Sequence, residues 1–260
     1  MIAQHDYRVT FNDPRQFRVQ GDSLTLHVRE WNSEAVGLPI VLLHGITGSG
    51  ADWAGVIPWL GSRRAVAFDA RGHGASDWDP GEGYTVDQHF ADLASALDEL
   101  DIARCVLVGF SRGGTVTILA AACLPDRVAG VAVVDSYPHP TMSRGSAGIA
   151  RRIANSDDAG RTFDPAITRQ FQAMMEDGHD ARMDLHAMWQ VIACPALVVR
   201  GEHSDVLTPG LATDMLATQP LARLVTIDGV GHRIPRDKPS ELGEALTEFA
   251  VSLGRAVVGR

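Results

Sequence analysis

Cys105-Val106-Leu107-Val108-Gly109-Phe110-Ser111-Arg112-Gly113-Gly114 is the stretch on which the fold turns. Four apolar residues of strand type run into G-x-S-x-G, and residues 112–124 continue with helical spacing. A serine on so sharp a turn needs glycine on both sides, because flanking side chains would clash there and the backbone is strained. The pentapeptide alone is a weak signal. Its setting of strand, turn and helix is what gives it meaning.

Working outward, the same kind of short apolar run recurs at 40–43 (IVLL), 65–68 (AVAF), 131–134 (VAVV), 196–199 (ALVV) and 224–227 (LVTI). Such runs suit parallel strands covered on both faces. Between them, residues 86–100 place Phe90, Leu93, Leu97 and Leu100 three or four apart, and 240–253 reads similarly. The alternation predicts an α/β fold with a mostly parallel, doubly wound sheet. Leu24, Leu26 and Val28 alternate with polar residues, so the chain is expected to open with antiparallel strands. Residues 136–184 break the rhythm, with helix-like pieces at 147–154 and 165–175 and no strand between them. The expected organisation is a core from 1–135, a small helical cap from 136–184 and the rest of the core from 185–260.

Composition narrows the function. Apolar residues form 45% and charged residues 21% of 260, which is ordinary for a chain that folds by itself. A net charge of −9 argues against a surface that tracks phosphates, so nucleic acid is not an expected partner. Residues 1–18 lack the continuous apolar stretch of a signal peptide or a membrane span, which makes a cytoplasmic location without membrane partners the expectation. Self-association is left open. Cys105, Cys123 and Cys194 lie apart in apolar segments and read as small buried side chains rather than disulfides or a metal site. Lys238 is the sole lysine and stands in no phosphate-binding loop, which sets aside Schiff-base enzymes and P-loop NTPases.

A serine hydroxyl is a poor nucleophile at neutral pH. It needs a base for its proton and an acid to hold that base in the right tautomer. His232, in Gly229-Val230-Gly231-His232, follows the run at 224–227 on a glycine-rich loop. Asp205, in Arg200-Gly201-Glu202-His203-Ser204-Asp205, follows the run at 196–199 in the same manner. His44-Gly45-Ile46-Thr47-Gly48 follows the run at 40–43. Its backbone amides are candidates for stabilising an oxyanion.

These pieces, together with Asp69-Ala70-Arg71-Gly72-His73-Gly74-Ala75-Ser76-Asp77, occur in an order that resembles the α/β-hydrolase superfamily from about Pro39 to Leu253. The resemblance is to the branch of carbon–carbon bond hydrolases of ring-cleavage products, cofactor-free haloperoxidases and small esterases. It implies Ser111 as nucleophile, His232 as base, Asp205 as acid, and the N–H groups of Ile46 and Arg112 as the oxyanion hole. Neither a cofactor nor a metal is implied. Asp135, at the end of the run 131–134, is the weaker alternative for the acid, since some members use that strand. His73 reads as a structural loop residue, and His203 with Asp205 lacks a third ligand at metal-binding spacing. Phe110 and Arg112 stand where many members carry a histidine and a methionine or leucine.

The expected activity is hydrolysis of a small carboxylic ester or lactone through an acyl-enzyme. The alternative is carbon–carbon or amide hydrolysis of a small acidic intermediate of aromatic degradation, motivated by Arg144, Arg151 and Arg152 in the cap. A reading of another class is a ligand sensor that keeps a slow triad. Met174, Met175, Met183, Met188 and Trp189 read equally as pocket lining and as core.

Overall fold

A computed structural model describes residues 13–138, 162–177 and 184–258. The apolar runs become strands β3 (Ile40–Leu43), β4 (Ala65–Phe68), β5 (Cys105–Phe110), β6 (Val128–Val134), β7 (Ala196–Gly201) and β8 (Ala222–Ile227). They are preceded by β1 (Arg15–Gln20) and β2 (Thr25–Trp31). Together they form one sheet in the order β1-β2-β4-β3-β5-β6-β7-β8. β1 pairs with β2, and β2 with β4, in antiparallel register, and every later pairing is parallel.

The parallel strands are apolar on both faces because both faces are covered. Along β5, Cys105 and Leu107 face one core with Leu93, Leu97 and Val116, while Val106 and Val108 face the other with Trp53, Leu242 and Phe249. Helices α1 (Val86–Glu99) and α2 (Arg112–Cys123) cover the first face. Thr85 and Gln88 close a capping box at the start of α1, which satisfies two amides the helix leaves unpaired. The second face takes the 3-10 turns Gly50–Trp53 and Ile57–Trp59 and, near the C-terminus, helix α7 (Pro239–Val258).

Three further helices, α4 (Leu185–Gln190), α5 (Pro209–Thr218) and α6 (Ile234–Asp237), are short segments that periodicity does not reveal. The segment read as helical at 165–175 is α3 (Pro165–Asp177). The piece at 147–154 and the three cap arginines lie outside the described residues. Two expectations need correction. β8 is the edge strand, and its run is only partly buried: Leu224 is 37% exposed and Ile227 alone in the strand is buried. Cys123 is exposed at the last turn of α2, where the helix emerges from the core; only Cys105 of the three cysteines is buried. Among the described residues no helix is long and apolar enough to cross a membrane.

Candidate active site

Ser111 sits between β5 and α2 with φ 52° and ψ −118°, a backbone conformation that side chains rarely adopt. Two constraints hold it there. Its N–H donates to Val134 O of the neighbouring strand (2.9 Å), and the chain around it passes close to other backbone. A Cβ at Gly109 would collide with Gly113 O and Thr117 Oγ1, and one at Gly113 would collide with Leu43 O. Strain of about 1–3 kcal/mol at the serine is therefore over-determined by the packing of three strands and a helix.

His232, on the loop after β8, points Nε2 at Ser111 Oγ (3.1 Å) and Nδ1 at Asp135 Oδ2 (2.7 Å). Phe110 packs against the imidazole, with ring centroids 4.8 Å apart. The acid beside the histidine is thus Asp135 and not Asp205, which corrects the reading based on the residues flanking Asp205. Strand adjacency explains the difference. β6 lies directly beside β5, so a residue that ends β6 emerges next to Ser111, whereas β7 is one strand further away. Asp135 itself turns with φ 46° and is wholly buried. Asp205 is exposed.

The β7 loop contributes through Ser204, whose hydroxyl donates to Asp135 Oδ2 (2.5 Å) and accepts from Val206 N–H (3.1 Å). Gly201 N–H donates to Asp135 Oδ1 (3.2 Å). Three donors therefore surround one buried carboxylate, which offsets the cost of burying its charge. Sequence reasoning missed Ser204. Its only signal was its place immediately before Asp205 in a loop already singled out.

The loop after β3 is held by two imidazoles. His44 Nε2 accepts from Ala70 N–H (2.9 Å), so its proton lies on Nδ1 and is donated to Gly45 O (2.7 Å). His73 Nε2 likewise accepts from Thr47 N–H (3.3 Å), and its Nδ1–H goes to Arg71 O (2.8 Å). These bonds need neutral rings. Burial pushes the His44 pKa down, and burial, with His44 and Arg112 nearby, pushes that of His73 down to about 3. With Thr47 N–H on His73 and Gly48 N–H on Gly45 O (3.0 Å), the Ile46 amide is left without an acceptor among the described residues. Arg112 opens α2, where first-turn amides have no acceptor within the helix. Asp69 anchors the same region. It accepts from Gly50 N–H (2.7 Å) and Ala75 N–H (3.0 Å) and pairs with Arg29, contacts that outweigh burial and lower its pKa.

A cavity of about 310 Å³ opens beside this loop, lined by Gly45, Ile46, Arg112 and Gly113 and by the apolar side chains of Leu26, Phe68 and Leu93. Phe171 and Ala173 of α3 also line it. Trp189 is not part of it: the indole is buried in the core and donates to Met215 O (2.9 Å). Met188 also packs on that core, Met183 lies outside the described residues, and His203 is exposed. Among the described residues no group of three His, Cys, Asp or Glu side chains is arranged to hold a metal ion.

Residues 40–245 match the model of the Alpha/beta hydrolase family. The chain is 28% identical to 2-(acetamidomethylene)succinate hydrolase of Mesorhizobium japonicum over 89% of its own length and 94% of the relative's. It is 27% identical to esterase YbfF of Escherichia coli over 81% of its length and 92% of that protein's. A thermophilic esterase from Thermogutta terrifontis superposes with a TM-score of 0.76 at 21% identity, covering 92% of this chain and 99% of that one, which shows a common fold.

Proposed function

The chain belongs to the alpha/beta hydrolase family, and on that footing we propose that it is a serine hydrolase cleaving a small carboxylic ester or lactone through an acyl-enzyme. The observation that carries the reading is the line from Ser111 Oγ through His232 to Asp135, at 3.1 and 2.7 Å. His232 Nε2 takes the Ser111 proton as Oγ attacks the acyl carbon, and the same proton is returned to the leaving alcohol oxygen. Asp135 keeps Nδ1 protonated and stabilises the imidazolium. The amides of Ile46 and Arg112 face the developing oxyanion, where one donor lowers the barrier by about 3–4 kcal/mol. Water then enters along the alcohol's path, and His232 activates it to release the acid.

The test is labelling with a fluorophosphonate, which reacts with activated serine hydroxyls. The wild type should become labelled on Ser111 and Ser111→Ala should remain unlabelled. Equal labelling of both would remove Ser111 from the chemistry.

A second reading is favoured by one relative. The hydrolase from Mesorhizobium japonicum is named for an acidic compound with an acetamido group, so amide hydrolysis by the same three residues is the alternative. The ratio of kcat/KM for matched neutral ester and acidic amide substrates distinguishes the two.

A further inference from the structure

The cavity beside the oxyanion loop contains a polar group that the site's internal hydrogen bonds do not occupy. His89 lies on α1 four residues before Leu93, is 8% exposed and lines the cavity. Its neighbour His73, with ring centroids 6.3 Å away, spends both nitrogens on backbone groups, as His44 does. Neither ring nitrogen of His89 has a hydrogen-bond partner among the described residues. Nothing about the stability of α1 calls for an imidazole there. A leucine, like Leu93 one turn further along α1, would line the cavity without leaving a polar group unsatisfied, because a buried polar group without a partner is costly.

We propose that the cavity receives the acyl portion of the substrate and that His89 hydrogen-bonds an oxygen atom carried on that portion, away from the scissile carbonyl. The proposal rests on the ester-hydrolase reading above. Gly45, Ile46, Arg112 and Gly113 belong both to the cavity wall and to the two segments whose amides face the oxyanion, so the acyl chain has direct entry. Most other walls are apolar, and a volume of about 310 Å³ suits a short chain. A neutral imidazole offers one N–H donor and one acceptor. Burial, with Arg112, His73 and Arg71 nearby, keeps His89 neutral, and the Arg112 guanidinium on the same cavity wall favours an electron-rich oxygen over an ammonium as its partner. His89 thus determines specificity, and the substrate class is a short oxygenated acyl ester or lactone.

The test is a ladder of p-nitrophenyl esters bearing a keto oxygen at acyl carbon 4, 5 or 6, each paired with the isostere that carries a methyl group instead. Ser111→Ala supplies the background, and wild type, His89→Gln and His89→Leu are compared. Wild type should prefer at least one keto member over its isostere by about tenfold in kcat/KM. His89→Leu should lose that preference while still hydrolysing the methyl isosteres, and His89→Gln, which keeps a donor and an acceptor, should retain part of it. Because the preference is a ratio within one variant, a partly misfolded preparation does not obscure it. Ser111-dependent hydrolysis with no keto preference, or a preference unchanged in His89→Leu, overturns the assignment of His89. No Ser111-dependent hydrolysis of any ester overturns the ester-hydrolase reading, and this inference with it.

Discussion

His232 Nδ1 lies 2.7 Å from Asp135 Oδ2, so the carboxylate that meets the histidine comes from the end of β6, the strand next to the one that leads into Ser111. Asp135→Asn keeps the shape of the side chain but presents the wrong partner to Nδ1–H and favours the wrong tautomer. Turnover of a neutral aryl ester should fall by a factor on the order of 10⁴. Asp205→Asn, on an exposed side chain, should stay within about tenfold of wild type. The reverse ranking of the two variants would return the role to Asp205.

Ser204 acts on the reaction only through Asp135, which makes it a positioning residue. Removing its hydroxyl leaves Oδ2 with one donor fewer and frees the amide of Val206. Ser204→Ala should lower kcat about tenfold with KM little changed. Ser204→Thr, which keeps the hydroxyl, should restore kcat. A Ser204→Thr variant as slow as Ser204→Ala would mean that the hydroxyl does not position Asp135.

The contrast between these two aspartates shows what the sequence could and could not reveal. The strands were legible because they are buried on both faces, so their apolar runs are continuous; β3 and β4 match theirs residue for residue. That Ser111 and His232 would meet could be read because the elbow and the Gly231-His232 loop constrain backbone locally. Which carboxylate would join them could not, because both Asp135 and Asp205 follow a strand. The choice between them depends on sheet order, a long-range property, and on which loop turns its side chain inward. The pairing of His44 and His73 with backbone amides was hidden for the same reason: their partners are 26 residues away. His89 carried no signal beyond its place on the buried face of α1.

The elbow predicts a backbone clash that no rotamer change relieves. A Cβ at Gly113 would run into the carbonyls of Leu43 and His44, at the end of β3. Gly113→Ala should therefore destabilise the fold by about 2 kcal/mol or more and displace the oxyanion loop, reducing activity even in the folded fraction. Gly210, inside α5, meets nothing within 4 Å, so Gly210→Ala should stabilise by roughly 0.5–1 kcal/mol. Urea unfolding of both variants checks the pair. Similar stabilities would mean that the β5 elbow yields more than its packing suggests.

His44, His73 and His89 predict how stability responds to acid. Burial holds each below the ordinary histidine value of 6.5, His73 at about 3, so the folded state binds these protons less readily than the unfolded chain. The stabilisation from keeping them neutral is fully present above about pH 6.5 and is lost as pH falls from there toward the folded-state pKa values. His73, at about 3, weakens the fold by about 1.4 kcal/mol between pH 7.5 and 5.5, and His44 and His89 act in the same direction. Other groups titrate over the same range, so the diagnostic measurement is a difference between proteins. His73→Gln can still accept Thr47 N–H through its amide oxygen but carries no titrating group. Its urea-unfolding free energy should change between pH 7.5 and 5.5 by about 1.4 kcal/mol less than that of the wild type. If the two proteins lose the same stability over that interval, His73 is protonated in the folded state, and the hydrogen bond from Thr47 N–H that holds the oxyanion loop cannot form as described.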